Sequence, residues 1–240
     1  IGNSAFYGCS KLKNIELPLC LSNLGTNAFS YCTRLETTSV PSGLKTWGYG
    51  IYRGCTSLKS VTIPEGFTNI PSEMFMNCSS LTDIALPTTM KVIRSSAFEG
   101  SGLTNITLPY GCTEVQASAF KNSVGLISAN IPDSVTSLGS SIFEGCSSLT
   151  DVNLGRNISS IPQNAFKNCE SLEKLVVPYY TTEIGNNAFV NDTAFTEITI
   201  PRNVTSISST AFSYPDKLTI YGVPGTYAET YAGNNGIKFV

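Results

Sequence analysis

The sequence contains no histidine, a single tryptophan and little charge. Charged residues make up 13% of the chain, against about 25% in a typical soluble domain, and the net charge is −2. The absence of histidine removes the usual general base and the commonest metal ligand. No carboxylate pair, nucleophile–base arrangement or phosphate-binding loop takes its place. We therefore predict that the chain is not an enzyme and uses no metal or cofactor.

Long apolar runs and basic clusters are also missing. No apolar stretch approaches the roughly 18 residues that span a bilayer, so we expect no membrane insertion. The opening residues, IGNSAFYGC, have neither the basic start nor the hydrophobic core of a signal peptide. With 15 Lys and Arg against 17 Asp and Glu, the chain has no basic field that would attract nucleic acid.

What the sequence does contain is one unit copied along its whole length. The segment Ala165–Pro178, AFKNCESLEKLVVP, recurs ten times with a period of 23 residues, except for one step of 22 at the turn 99–102. Such a period is typical of a solenoid in which each unit packs only on its neighbours. The residues that close successive units are Pro18, Pro41, Pro64, Pro87, Pro109, Pro132, Gly155, Pro178 and Pro201. An aromatic residue keeps the same period: Phe6, Phe29, Tyr52, Phe75, Phe98, Phe120, Phe143, Phe166, Phe189 and Phe212.

The apolar residues inside a unit predict two inward rows and one turn. Leu175 and Val177 alternate with polar residues, which indicates a short strand, and Ile184 belongs to a second inward row. The Ala-Phe pair is predicted to form a single α-helical or 3₁₀ turn, which Pro71 and Pro162 open in their units. Gly or Asn two residues after the aromatic is expected to end that turn in the left-handed conformation.

The pattern Leu-x-x-Ile-x-Ile-Pro followed by Ala-Phe-x-x-Cys resembles the BspA-like branch of the leucine-rich repeats, and it extends from Ile1 to about Tyr221. The closing segment TIYGVPGTYAETYAGNNGIKFV resembles the C-terminal ends of the same family. The resemblance implies an α/β-type, right-handed, curved solenoid of about ten units. Short parallel strands would line its concave face, and short helical or 3₁₀ turns its convex face. It also implies a secreted or cell-surface protein of a host-associated bacterium or protist, for which adhesion to host or bacterial proteins is the best-known theme.

Two domains are predicted, a solenoid over residues 1–221 and a C-terminal cap over residues 222–240. Ile1 occupies an interior position, so the array begins in the middle of a unit, and our hypothesis is that it is a fragment of a longer array. In the cap, Thr226 and Glu229 predict a capping box at the start of a short helix that Gly233 stops. A final strand would then cover the last unit.

Eight cysteines leave a choice between disulfides and free thiols. Cys32, Cys55 and Cys78 fall at the same position of successive units. Equivalent side chains in a stack run parallel, which keeps their Cβ atoms too far apart for an unstrained disulfide. Buried free thiols are therefore favoured. Spacings of 23 residues do not match a structural zinc site.

The exposed positions carry whatever is particular to this protein. The middle of each strand is small, polar and nearly uncharged: Glu16, Ser39, Thr62, Ala85, Thr107, Asn130, Asn153, Val176, Thr199 and Thr219. The residue just after the closing position is more distinctive in five successive units, with one tyrosine beside it, and together these form a candidate partner-binding edge: Tyr110, Asp133, Arg156, Tyr179, Tyr180 and Arg202. Tyr and Arg are enriched in binding hot spots, but they are also ordinary residues at exposed loop edges. For Trp47, a locally enlarged core is favoured over an exposed binding aromatic.

The leading hypothesis is a non-catalytic module, extracellular or at the cell surface, that binds a host extracellular or bacterial surface protein. A carbohydrate-binding module, whose tyrosines stack on sugar rings, is the first alternative. A structural spacer within a larger surface protein, with no ligand, is the second.

Overall fold

The computed structural model describes residues 1–240 as one stack of parallel-strand turns. Each strand register joins identical positions of neighbouring repeats, as in the pair Asp151 and Ser128. We number the units so that each ends at its closing residue: 1–18, 19–41, 42–64, 65–87, 88–109, 110–132, 133–155, 156–178, 179–201 and 202–222 for units 1 to 10.

Most units contribute two strands, and all strand pairs are parallel. In chain order the strands are β1 (Asn23–Leu24), β2 (Thr37–Ser39), β3 (Thr46–Trp47), β4 (Ser60–Thr62), β5 (Asn69–Ile70), β6 (Val92–Ile93), β7 (Asn105–Thr107), β8 (Glu114–Val115), β9 (Ser128–Asn130), β10 (Ser137–Leu138), β11 (Asp151–Asn153), β12 (Ser160–Ile161), β13 (Lys174–Val176), β14 (Glu183–Ile184), β15 (Glu197–Ile200), β16 (Ser206–Ile207), β17 (Thr219–Gly222) and β18 (Lys238–Phe239). The longer strands β2, β4, β7, β9, β11, β13, β15 and β17, with β18, form the first ladder. The two-residue strands β1, β3, β5, β6, β8, β10, β12, β14 and β16 form the second ladder.

The Ala-Phe segments make turns, and the predicted helical turn is wrong. In unit 2, the N–H groups of Ala28 and Ser30 bond three residues back within the unit. Those of Asn27, Phe29 and Tyr31 instead bond carbonyls of unit 3 at 2.6–2.9 Å. These bonds to unit 3 form a third set of hydrogen bonds between units, in addition to the two ladders. In a helix the same N–H groups would bond carbonyls of their own unit. We call this set the turn layer.

The alternation depends on left-handed residues on both sides of the aromatic. The expected position two residues after it has a positive φ, as at Gly54 (70°) and Asn168 (62°). A second position, two residues before the aromatic, also has a positive φ, as at Asn27 (54°) and Asn164 (55°). Non-glycine residues adopt this region at a cost, and Asn does so most readily. The repeated cost is offset because each such turn frees alternate N–H groups to bond the next unit.

The aromatic rings stack in one column along the core. Successive rings from Phe6 to Phe212 lie 5.1–6.0 Å apart between centroids and are nearly parallel. Tyr231 of the C-terminal helix closes the column with an edge contact to Phe212 at 6.2 Å. The column joins all units, because each interior ring is buried between two neighbours.

All eight cysteines are free thiols. At the repeated position the S–H group donates to the carbonyl of the preceding unit's aromatic, for example Cys55 to Phe29 at 3.2 Å and Cys169 to Phe143 at 3.1 Å. Ser123 makes the same bond to Phe98 at 3.0 Å. Ser123 can therefore replace Cys at this position without losing the bond to the preceding unit.

Proline interrupts the second ladder at two places. The corner residue after each two-residue strand donates its N–H to the preceding unit, as Gly139 does to Val115 (2.7 Å) and Gly185 to Ile161 (2.8 Å). Pro71 and Pro162 occupy this corner in units 4 and 8 and have no N–H to donate. No strand of the second ladder pairs across units 3 and 4 or across units 7 and 8. Their predicted role as helix starts is wrong, since each proline marks a break in the ladder.

The first ladder is interrupted at the same two junctions and also between units 4 and 5, where the second ladder is intact. No pairing joins β4 to unit 4, whose residues 83–85 form no strand, and none joins β11 to β13. The turn layer is intact at both junctions. Phe143 N bonds Ala165 O at 2.9 Å, and Tyr52 N bonds Met74 O at 3.0 Å. Units 7 and 8, like units 3 and 4, are therefore joined along the aromatic column and separated along the ladders.

The C-terminal segment contains a 3₁₀ helix, Pro215–Lys217, an α-helix, α1 (Tyr227–Asn234), and β18, which pairs with β17. The predicted capping box is wrong in detail. The Glu229 carboxylate accepts from Gly225 N at 2.7 Å, while the Thr226 hydroxyl donates to Val223 O. The helix also runs through Gly233. None of the helices has the length and apolar character needed to span a bilayer.

Candidate functional site

The structure places the predicted edge at the end of the first ladder, where the chain leaves each strand. Tyr110 is 79% exposed, Tyr179 54% and Tyr180 55%, and Arg156 and Arg202 are exposed as well. Asp133 is half-buried. The expected exposed row falls at the third residue of each first-ladder strand from β2 to β15. Glu16 and Ala85 lie in no strand, and in unit 10 the register aligns Tyr221, and not Thr219, with Thr199.

Arg156 and Asp133 form the only ion pair of the edge. Arg156 Nε lies 3.0 Å from Asp133 Oδ2, and Arg156 N donates to Asp133 Oδ1 at 3.0 Å. Gly155 makes this approach possible, because a Cβ at that position would overlap the carbonyl of Pro132. Glycine replaces proline in this one unit for that steric reason, and the guanidinium is held on the rim with donors left over.

The tyrosines of the edge fall into two groups. The rings of Tyr179 and Tyr180 contact each other edge to face, with centroids 5.0 Å apart. Asn203 Nδ2 donates to Tyr179 O at 2.7 Å, which fixes the backbone beneath that pair. Tyr110 makes no ring–ring contact and stands three units away along the stack. The edge is thus a row of separate side chains with one built cluster around Arg156 and Tyr179.

A groove of about 630 Å³ lies beside that cluster on the face of the first ladder. It is lined by Thr150, Asp151, Val152, Asn153, Leu154, Arg156, Lys174, Leu175, Val176, Val177, Pro178, Tyr179, Glu197, Thr199 and Pro201. Arg156 and Tyr179 therefore join the groove, whereas Tyr110, Asp133, Tyr180 and Arg202 are not among its lining residues. The volume falls within the range of ordinary ligand sites, roughly 300–1,000 Å³.

The groove is the opening between units 7 and 8. Its walls are β11 and β13, the neighbouring strands of the first ladder that do not pair. Val152 shows the result in the core. The inward residues of β2, β4, β7, β9, β13, β15 and β17 are buried, but Val152 is partly exposed at the floor of the groove. Val176 is 68% exposed on the same surface.

Charged side chains lie at both ends of the groove. Asp151, Lys174 and Glu197 begin three successive strands at one end, and Arg156 lies at the other, where the strands finish. Two features of the sequence mark this site. Val176 is the one large apolar residue in the exposed row, and Pro162 removes the corner N–H of the same unit.

Trp47 is half-buried and packs on Phe67 with ring centroids 4.6 Å apart. It lines two depressions, of about 490 and 250 Å³, on the side of the second ladder. The expected enlarged core is therefore present only in part, because the indole fills the opening between units 3 and 4 and remains in contact with solvent. The neighbouring Gly48 is required by the backbone of Thr26, which a Cβ would overlap.

The buried thiols and the buried Asp192 carboxyl fit a structural role better than a catalytic one. Burial raises the pKa of the Cys55 and Cys146 thiols to about 12, which leaves them protonated and unreactive at neutral pH. Burial also raises the pKa of the Asp192 carboxyl to about 8. Its Oδ1 accepts from Cys169 N at 2.8 Å, and its Oδ2 has no hydrogen-bond partner. No group of three or more Cys, Asp or Glu side chains is placed to hold a metal ion.

Comparison with known proteins supports this reading of the fold. The BspA type leucine rich repeat region matches residues 1–127 and 113–232, in six copies. A leucine-rich repeat protein from Bacteroides ovatus ATCC 8483 is 24% identical and superposes with a TM-score of 0.81 over 100% of this chain and 74% of that one. A leucine rich repeat protein from T. pallidum is 26% identical, with a TM-score of 0.60 over 77% of this chain and 78% of that one. No curated protein matches the sequence.

Proposed function

The chain belongs to the BspA-type leucine-rich repeat family, and from that premise we propose that it is a non-catalytic protein-interaction or adhesion module. The observation that supports this function is the position of the edge. Arg156 and Tyr179 both line an open groove of about 630 Å³, where a partner would bury both with the apolar floor. Buried aromatic and arginine anchors surrounded by polar residues are typical of binding hot spots.

The partner that this surface suits is a folded protein, such as a host extracellular protein or a bacterial surface protein. The exposed row of the first ladder is mostly Thr and Asn, which adds polar contacts at little desolvation cost. Scaffold and surface are separate in this design. The aromatic column and turn layer hold the units rigid, so the exposed residues are ordered before the partner arrives.

The test is a triple variant of the edge, Arg156→Ala, Tyr179→Ala and Arg202→Ala. We expect it to lose capture of a panel of immobilised host extracellular and bacterial surface proteins, measured by biolayer interferometry, with an unchanged melting temperature. The matched control is Arg34→Ala, Tyr49→Ala and Arg94→Ala, which removes the same three side-chain types from exposed positions elsewhere. Equal binding by both triple variants would contradict the proposed edge.

Carbohydrate binding is the second candidate, and the exposure of the Tyr110 and Tyr179 rings favours it. Such rings stack on sugar faces. A glycan array run beside the protein panel distinguishes the two, because a sugar-binding module gives glycan signals that Tyr179→Ala removes. A structural spacer gives no signal on either panel.

We also place the module outside the cell or at the cell surface, on the strength of its family. The free thiols at the repeated position do not oppose this, because their parallel stacking disfavours disulfides in any compartment. Protease treatment of intact source cells tests the location. Cleavage of the protein on intact cells is expected, and protection until lysis would contradict it.

A further inference from the structure

We propose that the opening between units 7 and 8 binds an extended segment of a protein partner, which adds as a parallel strand to β11 and β13. This inference rests on the proposed role as a protein-binding module, and it names the form in which the partner is bound.

The backbone of the two strands carries the first argument. β11 pairs only with β9, and β13 only with β15. At the junctions on either side, Ile131 N bonds Asn153 O and Val177 N bonds Thr199 O, each at 2.9 Å. The equivalent bond from Leu154 N to Val176 O is not made between units 7 and 8. The edges of two neighbouring sheets therefore face each other across the groove, and each presents N–H and C=O groups that an extended peptide satisfies.

The floor carries the second argument. Val152 is partly exposed between the two edges, and Leu175 and Val177 lie against the same space. Successive side chains of a strand point to opposite faces. A bound strand therefore directs every second side chain onto this apolar floor and leaves the others beside Val176 and Thr199 at the surface. A sugar or a helix can contact the apolar floor or the exposed surface. Neither can pair with the free N–H and C=O groups along the edges of β11 and β13.

Charge selects the orientation. At the end where the strands begin, the acids Asp151 and Glu197 outnumber Lys174. At the other end Arg156 is the charged lining residue, and its guanidinium keeps donors beyond the Nε that contacts Asp133. A strand that runs parallel to β11 places its amino-terminal end beside the acids and its carboxyl-terminal end beside Arg156. The preferred sequence has a basic residue first, alternating apolar residues, and an acidic residue last.

The opening is built into the fold at the corner of unit 8. Pro162 cannot donate to Leu138 O, the bond that the corner residue makes at intact junctions. The turn layer still holds the units, with the rings of Phe143 and Phe166 5.6 Å apart. A strand therefore enters without breaking existing bonds between β11 and β13, since there are none to break.

The experiment begins by panning linear octapeptides displayed on phage against the whole chain. Enrichment of the base–alternating apolar–acid pattern is expected. A synthetic copy of an enriched peptide should then protect the amides of Leu154 and Val176 from hydrogen exchange. N-methylation of its amides that face β11 or β13 should weaken binding at least tenfold, whereas N-methylation of its outermost amide should not.

Two variants test the site, each with a matched control. Pro162→Ala restores the corner N–H, so the ladders are expected to close and peptide affinity to fall at least tenfold without loss of melting temperature. Pro71→Ala makes the same change at the other junction and should leave affinity unchanged. Val176→Lys should also weaken binding, while Thr107→Lys, at the equivalent position of unit 5, should not.

Peptide binding that is insensitive to N-methylation, or equal in the Pro162→Ala and Pro71→Ala variants, overturns strand addition. Enrichment of no peptide, with capture of whole proteins retained, overturns this inference and leaves the proposed function standing. If neither peptides nor whole proteins bind, the proposed function is overturned as well.

Discussion

The junction between units 3 and 4 and the junction between units 7 and 8 each have a corner proline, and they differ in the face on which the space opens. Each follows a corner proline, Pro71 or Pro162, and each lacks pairing in both ladders. At the first junction Trp47 and Phe67 fill part of the space. At the second the equivalent residues are Leu138 and Ile158, both buried, and the space opens on the first ladder as a groove. Both junctions thus combine a corner residue that has no N–H with unpaired strands in both ladders, and they differ in the side chains that border the space.

The largest effect is expected from removing an aromatic ring at an open junction. Phe166→Ala should lower the free energy of unfolding by about 3–5 kcal/mol, because the ring is fully buried and no strand pairing joins units 7 and 8. Phe120→Ala, at a junction with both ladders intact, should cost the same or less. Trp47 fluorescence reports unit 3 alone, so urea unfolding followed by fluorescence and by circular dichroism should no longer coincide in Phe166→Ala. Coincident transitions there would show that the ladders, and not the rings, couple the units.

A pH titration gives the next effect, at the closed junction of units 8 and 9. The Asp192 carboxyl, with its pKa raised to about 8 by burial, keeps its proton in the folded chain and loses it above about pH 4 when unfolded. The folded state then binds more protons, so the free energy of unfolding falls as pH rises from about 4 to 8, by on the order of 5 kcal/mol. Asp192→Asn should flatten this dependence, and Asp192→Cys, the residue of the neighbouring unit, should do the same. A slope that survives in both variants would assign it to another group.

Removing the indole of Trp47 should make the junction between units 3 and 4 resemble the junction between units 7 and 8. Trp47→Ala should cost about 2 kcal/mol, less than a buried aromatic because the side chain is half-exposed. It should also deepen the depression between units 3 and 4, which a crystal structure of the variant or increased binding of a hydrophobic dye would detect. Leu138→Ala is the matched change at the other junction. If the depression between units 3 and 4 is no deeper in Trp47→Ala, the indole does not fill the opening.

The smallest change in stability is expected from the prolines. Pro162→Ala gains about 1 kcal/mol from a new hydrogen bond and loses up to about 1 kcal/mol through the greater entropy of the unfolded chain. The melting temperature should therefore barely move. The informative measurement is hydrogen exchange, because the new amide of residue 162 should be protected if it bonds Leu138 O. Fast exchange at that amide would mean that the opening does not depend on proline.

The period, the strands and the stacked aromatics could be predicted from the sequence because they repeat. A pattern that is ambiguous in one unit is resolved by its recurrence in the others. Leu175, for example, was expected to point inward and is buried. Hydrophobic periodicity cannot distinguish the turn layer from a helical turn. The left-handed residue before the aromatic, such as Asn27 or Asn164, leaves no signal in that periodicity. That position is rich in Ser and Asn, which was the available signal.

The candidate site was predictable only in part. Arg156 and Tyr179 stood out because they interrupt a monotonous surface. The groove beside them did not, since it is produced by a bond that Pro162 fails to make with another unit. A proline reads as a local signal, and its effect here becomes visible only when the register of neighbouring units is known.

The intact turn layer also determines how the array responds to force. Tension along the stack acts on a structure that is bonded continuously through the turn layer, whereas both ladders are interrupted together at two junctions. The protein should therefore behave as three stiff blocks, units 1–3, 4–7 and 8–10, which flex about the aromatic column at two compliant joints. A load applied to one end of the chain would widen these joints long before it unravels a unit.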